Sequence, residues 1–230
     1  VVYGREQTSK LGDLISDAGA DRALVVTGTS VGANEDVTGP VRSGLGDRLA
    51  HVFAGTTPRK DVDEAYEAVD LMDEHDADAI VAVGGGSSVD IGKAARYLYA
   101  ARTDRDALRD VEARGESIDA PDDAELPPLV AIPTTLAGAD LSISGSVSLP
   151  ATGELPHTRI GIGDERAMPT ACVYDPGLME TTPLSALAGS AMNGFNKGLE
   201  LLYSSDATAM TDATGVHGLR LLRESLPVVG

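Results

Sequence analysis

The sequence holds a single cysteine, Cys172, which excludes a disulfide framework and any multi-cysteine zinc or iron–sulfur site. It has no apolar run near the roughly eighteen residues that a membrane-spanning helix requires, which excludes an integral membrane protein. Positive charge is scarce: eighteen basic residues stand against thirty-six acidic ones, leaving a net charge of −18 and an isoelectric point near 4.4. Such a surface repels phosphate backbones, so nucleic acid is excluded as a partner. Lysine is scarcer still, with four residues against fourteen arginines. No initiator methionine or basic-plus-apolar leader opens the chain, and neither an internal repeat nor a low-complexity tract runs through it.

What is present is ordinary for a folded chain. Its 230 residues are 42% hydrophobic and 23% charged, enough to bury a core in one large domain or one and a half. The acidic residues are dispersed, as in Asp61, Asp63 and Glu64 or Asp73, Glu74, Asp76 and Asp78. A dispersed acidic coat with few lysines suits a protein kept soluble in a high-salt cytoplasm. Both ends, Val1-Val2-Tyr3-Gly4 and Leu226-Pro227-Val228-Val229-Gly230, read as cut from something longer.

Short β-branched runs alternate with helical periods. Strands are expected over 23–27, 51–54, 79–83 and 129–133, and helices over 7–18, 37–49, 61–75 and 88–101. A glycine-bearing turn is expected at 28–32. The run 79–83 is apolar on both faces, as a central parallel strand should be. This alternation predicts an α/β fold with a doubly wound parallel sheet. Residues 103–126 read as an acidic surface excursion, 142–175 as an irregular β region, and 185 onward as helical, with a second helical stretch over 206–225. The expected division is an α/β dinucleotide-binding domain over 1–180 and the beginning of an all-α domain over 181–230.

The strongest local signal is Gly84-Gly85-Gly86-Ser87-Ser88-Val89-Asp90-Ile91-Gly92-Lys93. It follows the buried strand and opens a helix. Glycines let a backbone approach a ligand closely, and a helix N-terminus offers free N–H groups and a positive dipole end. That combination suits a dinucleotide pyrophosphate, with Asp90 placed to cap the helix and Lys93 one turn further on.

The stretch resembles the iron-containing alcohol dehydrogenase superfamily, whose signature GGGS-x-x-D-x-x-K is matched at each fixed position of 84–93. Thr27, Pro133-Thr134-Thr135, Asp175-Pro176 and Glu200 follow in family order. Residues 133–142, with Ala139 and Asp140 departing from the family's Ser and Glu, are similar to the maleylacetate reductase branch, as is Ser190-Ala191-Met192-Asn193. The resemblance implies cofactor contacts at Gly85, Gly86, Ser87 and Asp90, and a Thr134–Thr135 pair near the phosphate and nicotinamide end. It implies a hydride transfer between NAD or NADP and a small carbonyl or alcohol, in a homodimer or larger assembly.

After the first strand, NAD-preferring relatives often carry an acidic residue. This chain has Gly28, followed by Thr29 and Ser30, which removes repulsion of a 2′-phosphate and leans toward NADP. The family's divalent metal, iron or zinc, is held by an Asp and a His four residues apart. The matching positions are Asn193 and Lys197, so the expected metal site is lost and no metal ligand is assigned. Lys197 is expected to stabilise the developing alkoxide instead, with Asn193 orienting the substrate or Lys197. His51, His75, His157 and His217 fall on no ligand position, and Cys172 reads as core. Three rival readings stand beside this one: a metal-dependent dehydrogenase with rearranged ligands, a non-catalytic dinucleotide binder, and a glycerol or glycerol-1-phosphate dehydrogenase relative.

Overall fold

The computed structural model describes residues 1–151 and 157–226. Strands β1 (Val2–Tyr3), β2 (Ala23–Gly28), β3 (Leu49–Thr56), β4 (Ala79–Gly84) and β5 (Leu129–Pro133) are joined by helices α1 (Leu11–Asp17), α2 (Thr29–Gly32), α3 (Glu35–Leu45), α4 (Val62–Glu74), α5 (Gly86–Ala101) and α6 (Ala107–Ala113). An antiparallel hairpin of β6 (Gly145–Leu149) and β7 (Thr158–Ile162) precedes β8 (Ala171–Tyr174). Helices α7 (Pro176–Met179), α8 (Leu184–Tyr203) and α9 (Ala209–Ser225) complete the described chain.

The main sheet has the order β1-β8-β5-β4-β2-β3, and all its pairings are parallel. The chain steps outward from β2 to β3, then returns to the other side of β2 to form β4. That reversal opens a crevice between the carboxyl ends of β2 and β4, the usual ligand position in such sheets. Side-chain alternation explains why both faces are covered. Leu24, Val26, Ile80 and Ala82 pack with Ala65, Val69 and Met72 of α4 and Val89 and Ile91 of α5 on one face. Val25, Val81 and Val130 pack with Leu11 and Ile15 of α1 and Val37 and Val41 of α3 on the other.

Several sequence expectations need correction. The segment 28–32 is a glycine turn only in composition; Thr29–Gly32 closes one helical turn. Helix α3 ends at Leu45, and β3 already begins at Leu49, because Gly46 takes a positive φ of 53° and stops the helix. The excursion 103–126 is not all surface: it contains α6, buries Leu108 and Ile118, and bridges Ile118 to Ile162. The span 142–175 holds an ordered hairpin and β8, a full member of the parallel sheet. Residues 152–156 of that span lie outside the described residues. The helix after the glycines starts at Gly86, two residues earlier than its apolar period shows.

Helix α8 is tied to the loop that follows β5. Ser190 Oγ accepts the Leu136 N–H at 3.0 Å, and Asn193 Nδ2 donates to the Ala137 carbonyl at 3.2 Å. Helix α9 begins at a capping box in which Thr208 and Thr211 exchange side-chain-to-backbone hydrogen bonds, which satisfies two otherwise orphaned N–H groups. No helix among the described residues is long and apolar enough to cross a membrane.

Candidate functional site

The site grows from the carboxyl end of β4. Gly84 has φ +134°, a conformation that only glycine adopts at low cost. Its carbonyl accepts the Thr134 N–H at 2.9 Å, tying the turn to the end of β5. Gly85 then serves as the N-cap of α5, and no side chain caps that helix. The Ser88 N–H donates to the Gly85 carbonyl at 3.1 Å; the Gly86 and Ser87 N–H groups and the positive end of the helix dipole stand at the crevice, the arrangement that receives a phosphate.

Two cavities meet at this turn. The smaller, about 310 Å³, is lined by Gly28, Thr29, Ser30, Thr56, Gly85, Ser87 and Ser88. The larger, about 860 Å³, is a cleft between the sheet domain and α8, lined by Gly86, Ser87, Asp90 and Lys60 on one side and Asn193 and Lys197 on the other. Ser87 belongs to both. The expected residues Gly28, Ser30, Gly85, Gly86, Ser87, Asp90, Asn193 and Lys197 are thus gathered around one turn.

Other expected residues have different positions. Thr134 is buried, and its carbonyl accepts the Thr182 hydroxyl at 2.7 Å, so it braces the turn from behind. Thr135 stands against Gly85, its Cγ2 3.5 Å from where a Cβ would be. Lys93 does not reach the crevice. It is 0% exposed, and its Nζ donates to the carbonyls of Ala139, Ser142 and Ser144 at 2.8, 2.5 and 3.1 Å. All three ammonium hydrogens are used in holding the loop that floors the large cleft. Burial pulls the Lys93 pKa below its usual range, with Asp90 and Asp140 opposing.

Asp90 does not cap α5; its Oδ2 accepts from Lys60 Nζ at 2.6 Å. Asn193 bonds the Ala137 carbonyl rather than Lys197. Lys197 Nζ donates to Glu200 Oε2 at 2.8 Å, which raises its pKa, and its side chain is 67% exposed. Thr29 donates its hydroxyl to the Ala54 carbonyl at 3.1 Å, while Ser30 and Ser87 also line the small cavity. Cys172 is buried, and burial raises its thiol pKa, which marks it as unreactive core. His51 and His75 stack on each other with centroids 4.3 Å apart, away from the site.

The described residues alone assemble no complete donor set for a divalent ion. Among the described residues no three His, Cys, Asp or Glu side chains converge. An amide engaged with a carbonyl and an ammonium engaged with a carboxylate occupy the positions from which the resemblance expects ligands. By contrast, the open glycine cradle and uncapped helix fit a nucleotide phosphate.

Known proteins resemble the chain over nearly its whole length. The chain is 30% identical over 229 residues to the NAD-dependent methanol dehydrogenase of Bacillus methanolicus, covering 98% of this chain and 57% of that protein. It is 28% identical over 227 residues to maleylacetate reductase 1 of Cupriavidus pinatubonensis, covering 99% and 54%. The solved maleylacetate reductase of Agrobacterium tumefaciens superposes with a TM-score of 0.72 at 26% identity, covering 99% of this chain and 55% of that one. The chain therefore spans little more than half the length of the curated relatives it matches. The sequence model of the iron-containing alcohol dehydrogenases matches residues 1–176. With that match on the domain that carries the glycine cradle, the chain belongs to the iron-containing alcohol dehydrogenase family.

Proposed function

We propose that this protein is an NAD(P)-dependent oxidoreductase that transfers a hydride between nicotinamide and a small carbonyl or alcohol without a resident divalent metal. The single observation that carries the reading is the meeting of two cavities at one uncapped glycine turn. A dinucleotide has that form, with a pyrophosphate between two nucleoside lobes. Gly85, Gly86 and Ser87 would hold the pyrophosphate, with Gly28 and Ser30 beside the adenosine ribose. Asp90 would stand toward the nicotinamide ribose, and Thr134 and Thr135 behind and beside the turn. The bound cofactor supplies the hydride; the protein supplies position and charge.

Gly28 places no carboxylate near the adenosine ribose, and Ser30 keeps a free position for a 2′-phosphate, which supports NADP over NAD. Lys197 and Asn193 form the helical wall of the substrate cleft. To stabilise charge on a substrate oxygen, Lys197 must exchange its Glu200 bond, and at its exposure solvent screens it. Replacing Lys197 with Met is expected to lower kcat/KM only about two- to fivefold, the scale of an exposed charge interaction. A loss of a hundredfold or more would make it the principal electrophile. The proposal also places the enzyme in a salt-rich cytoplasm as a homodimer or larger assembly, with residues 1–180 carrying the cofactor and 181–230 the substrate wall.

The test is titration of the full chain with NADPH and NADH by nucleotide fluorescence, with metal analysis before and after chelation. Binding of NADPH at least as tight as NADH, unchanged by chelation, is the expected result. One iron or zinc per chain whose removal abolishes turnover would overturn the metal-free reading. Cofactor binding without turnover of any short aldehyde would leave a nucleotide-binding protein rather than an enzyme.

A further inference from the structure

Three of the four lysines build one cleft. Lys93 holds its floor from beneath, Lys197 stands at its mouth, and Lys60 lies in its wall. None of the fourteen arginines lines it. No local pattern in the sequence marks Lys60, because it stands in the short loop after β3, thirty residues from its partner Asp90.

The structure goes to some length to place Lys60. Its φ is +56°, a left-handed backbone on a residue with a long side chain. Such a conformation costs about 1–3 kcal/mol and persists only where the surroundings impose it. Here β6 imposes it: the Ser148 N–H donates to the Lys60 carbonyl at 2.7 Å, and the Ser148 hydroxyl donates to the Arg59 carbonyl at 2.6 Å. The strained backbone sends the side chain inward to Asp90, on the first turns of the helix that forms the cofactor cradle. Asp90 fits there because residue 145 is glycine; a Cβ at Gly145 would lie 2.9 Å from Asp90 Oδ1. The Lys60 and Asp90 side chains are 15% and 11% exposed, against 67% for Lys197. Sheltered and ion-paired, the Lys60 ammonium is the preorganised cation of the cleft.

We propose that Lys60 is the proton donor to the substrate oxygen during carbonyl reduction. The assignment rests on the oxidoreductase reading above and assigns a step within it. As the carbonyl carbon accepts the hydride, the C=O π pair becomes a lone pair on oxygen. That oxygen takes a proton from Lys60 Nζ, so one N–H bond breaks and one O–H bond forms. The neutral amine then regains a proton from water entering the open cleft. The carbonyl is reduced, the nicotinamide cofactor is oxidised, and no further co-reactant is needed. In the alcohol-oxidising direction the neutral amine accepts the hydroxyl proton.

The test uses the full chain, NADPH and a panel of C2 to C6 aldehydes. Lys60→Arg, which keeps a cation beside Asp90, is expected to bind NADPH within a few-fold of the wild type, and Lys60→Met more weakly because Asp90 loses its partner. Both should lose about 10²–10³-fold in kcat, the range of a lost general acid. The arginine variant separates charge from proton transfer, because guanidinium keeps its proton throughout the accessible pH range. Lys60→Ala should regain rate in proportion to added ethylammonium, a rescue that a merely structural lysine would not show. Retained turnover in Lys60→Arg, or the absence of amine rescue with NADPH binding intact, overturns the Lys60 assignment alone. Failure of the wild type to bind NADPH or NADH overturns the cofactor reading beneath it.

Discussion

Replacing Lys93 with methionine is expected to destabilise the protein by about 3–5 kcal/mol, the cost of removing one partner of a buried, fully bonded charge. Methionine nearly matches the length of the lysine stem but donates nothing. The carbonyls of Ala139, Ser142 and Ser144 would lose their shared donor at the floor of the cleft. For a chain of this size each kcal/mol corresponds to about 2–4 °C in melting temperature, so a fall near 10 °C is the expected reading by calorimetry. Nicotinamide binding should weaken as well, since the loosened loop packs on Gly86 through Ala137 and Ala139. A melting temperature within 2 °C of wild type would show that the loop holds its shape without Lys93. The pH dependence has a definite sign. Burial lowers the Lys93 pKa, so in the alkaline range the folded state releases this proton before the unfolded state does. Wild-type stability therefore carries an upward contribution with rising pH in that window, and the methionine variant lacks it.

Gly84→Ala should weaken cofactor binding by about 5- to 150-fold, which is 1–3 kcal/mol of backbone strain converted at 1.36 kcal/mol per decade. An alanine at φ +134° is strained whatever the space around it, and its Cβ would lie 3.0 Å from Ser88 Oγ. That hydroxyl is already engaged with Thr56 Oγ1 at 2.9 Å, so it has little room to yield. The chain can relieve the strain only by shifting the turn, which moves the N–H groups of α5 away from the phosphate. The variant is informative because the damage is local: the sheet core around β4 is untouched and circular dichroism should be unchanged. Unaltered NADPH affinity in a folded Gly84→Ala protein would place the nucleotide somewhere other than this turn.

The fold was largely legible in the sequence because its central strands are short apolar runs separated by helical periods. The turn at 84–93 was legible because glycines, strand and helix occur together in one continuous stretch. Long-range partners were not legible. That Asp90 faces Lys60 rather than its own helix end follows from the loop after β3 passing over α5, and no local pattern records that crossing. Lys93 has the spacing of a phosphate contact, yet the helix rotation points it beneath the floor of the cleft. Strand β8 was hidden among glycine, proline and threonine punctuation because it is only four residues long. Its place in the sheet is set by pairing with β5 rather than by its own composition.

The distribution of lysines makes the molecule readable by amine chemistry. Lys10 and Lys197 lie open to solvent, Lys60 is largely sheltered, and Lys93 is sealed. An acylating reagent followed by mass spectrometry would therefore run four clocks at once. Lys10 sets the intrinsic rate, Lys197 reports whether the mouth of the cleft is covered, and Lys60 reports occupancy of its wall. Lys93 becomes labelled only when the floor of the cleft or the whole domain opens, so its clock reports that opening in the same sample.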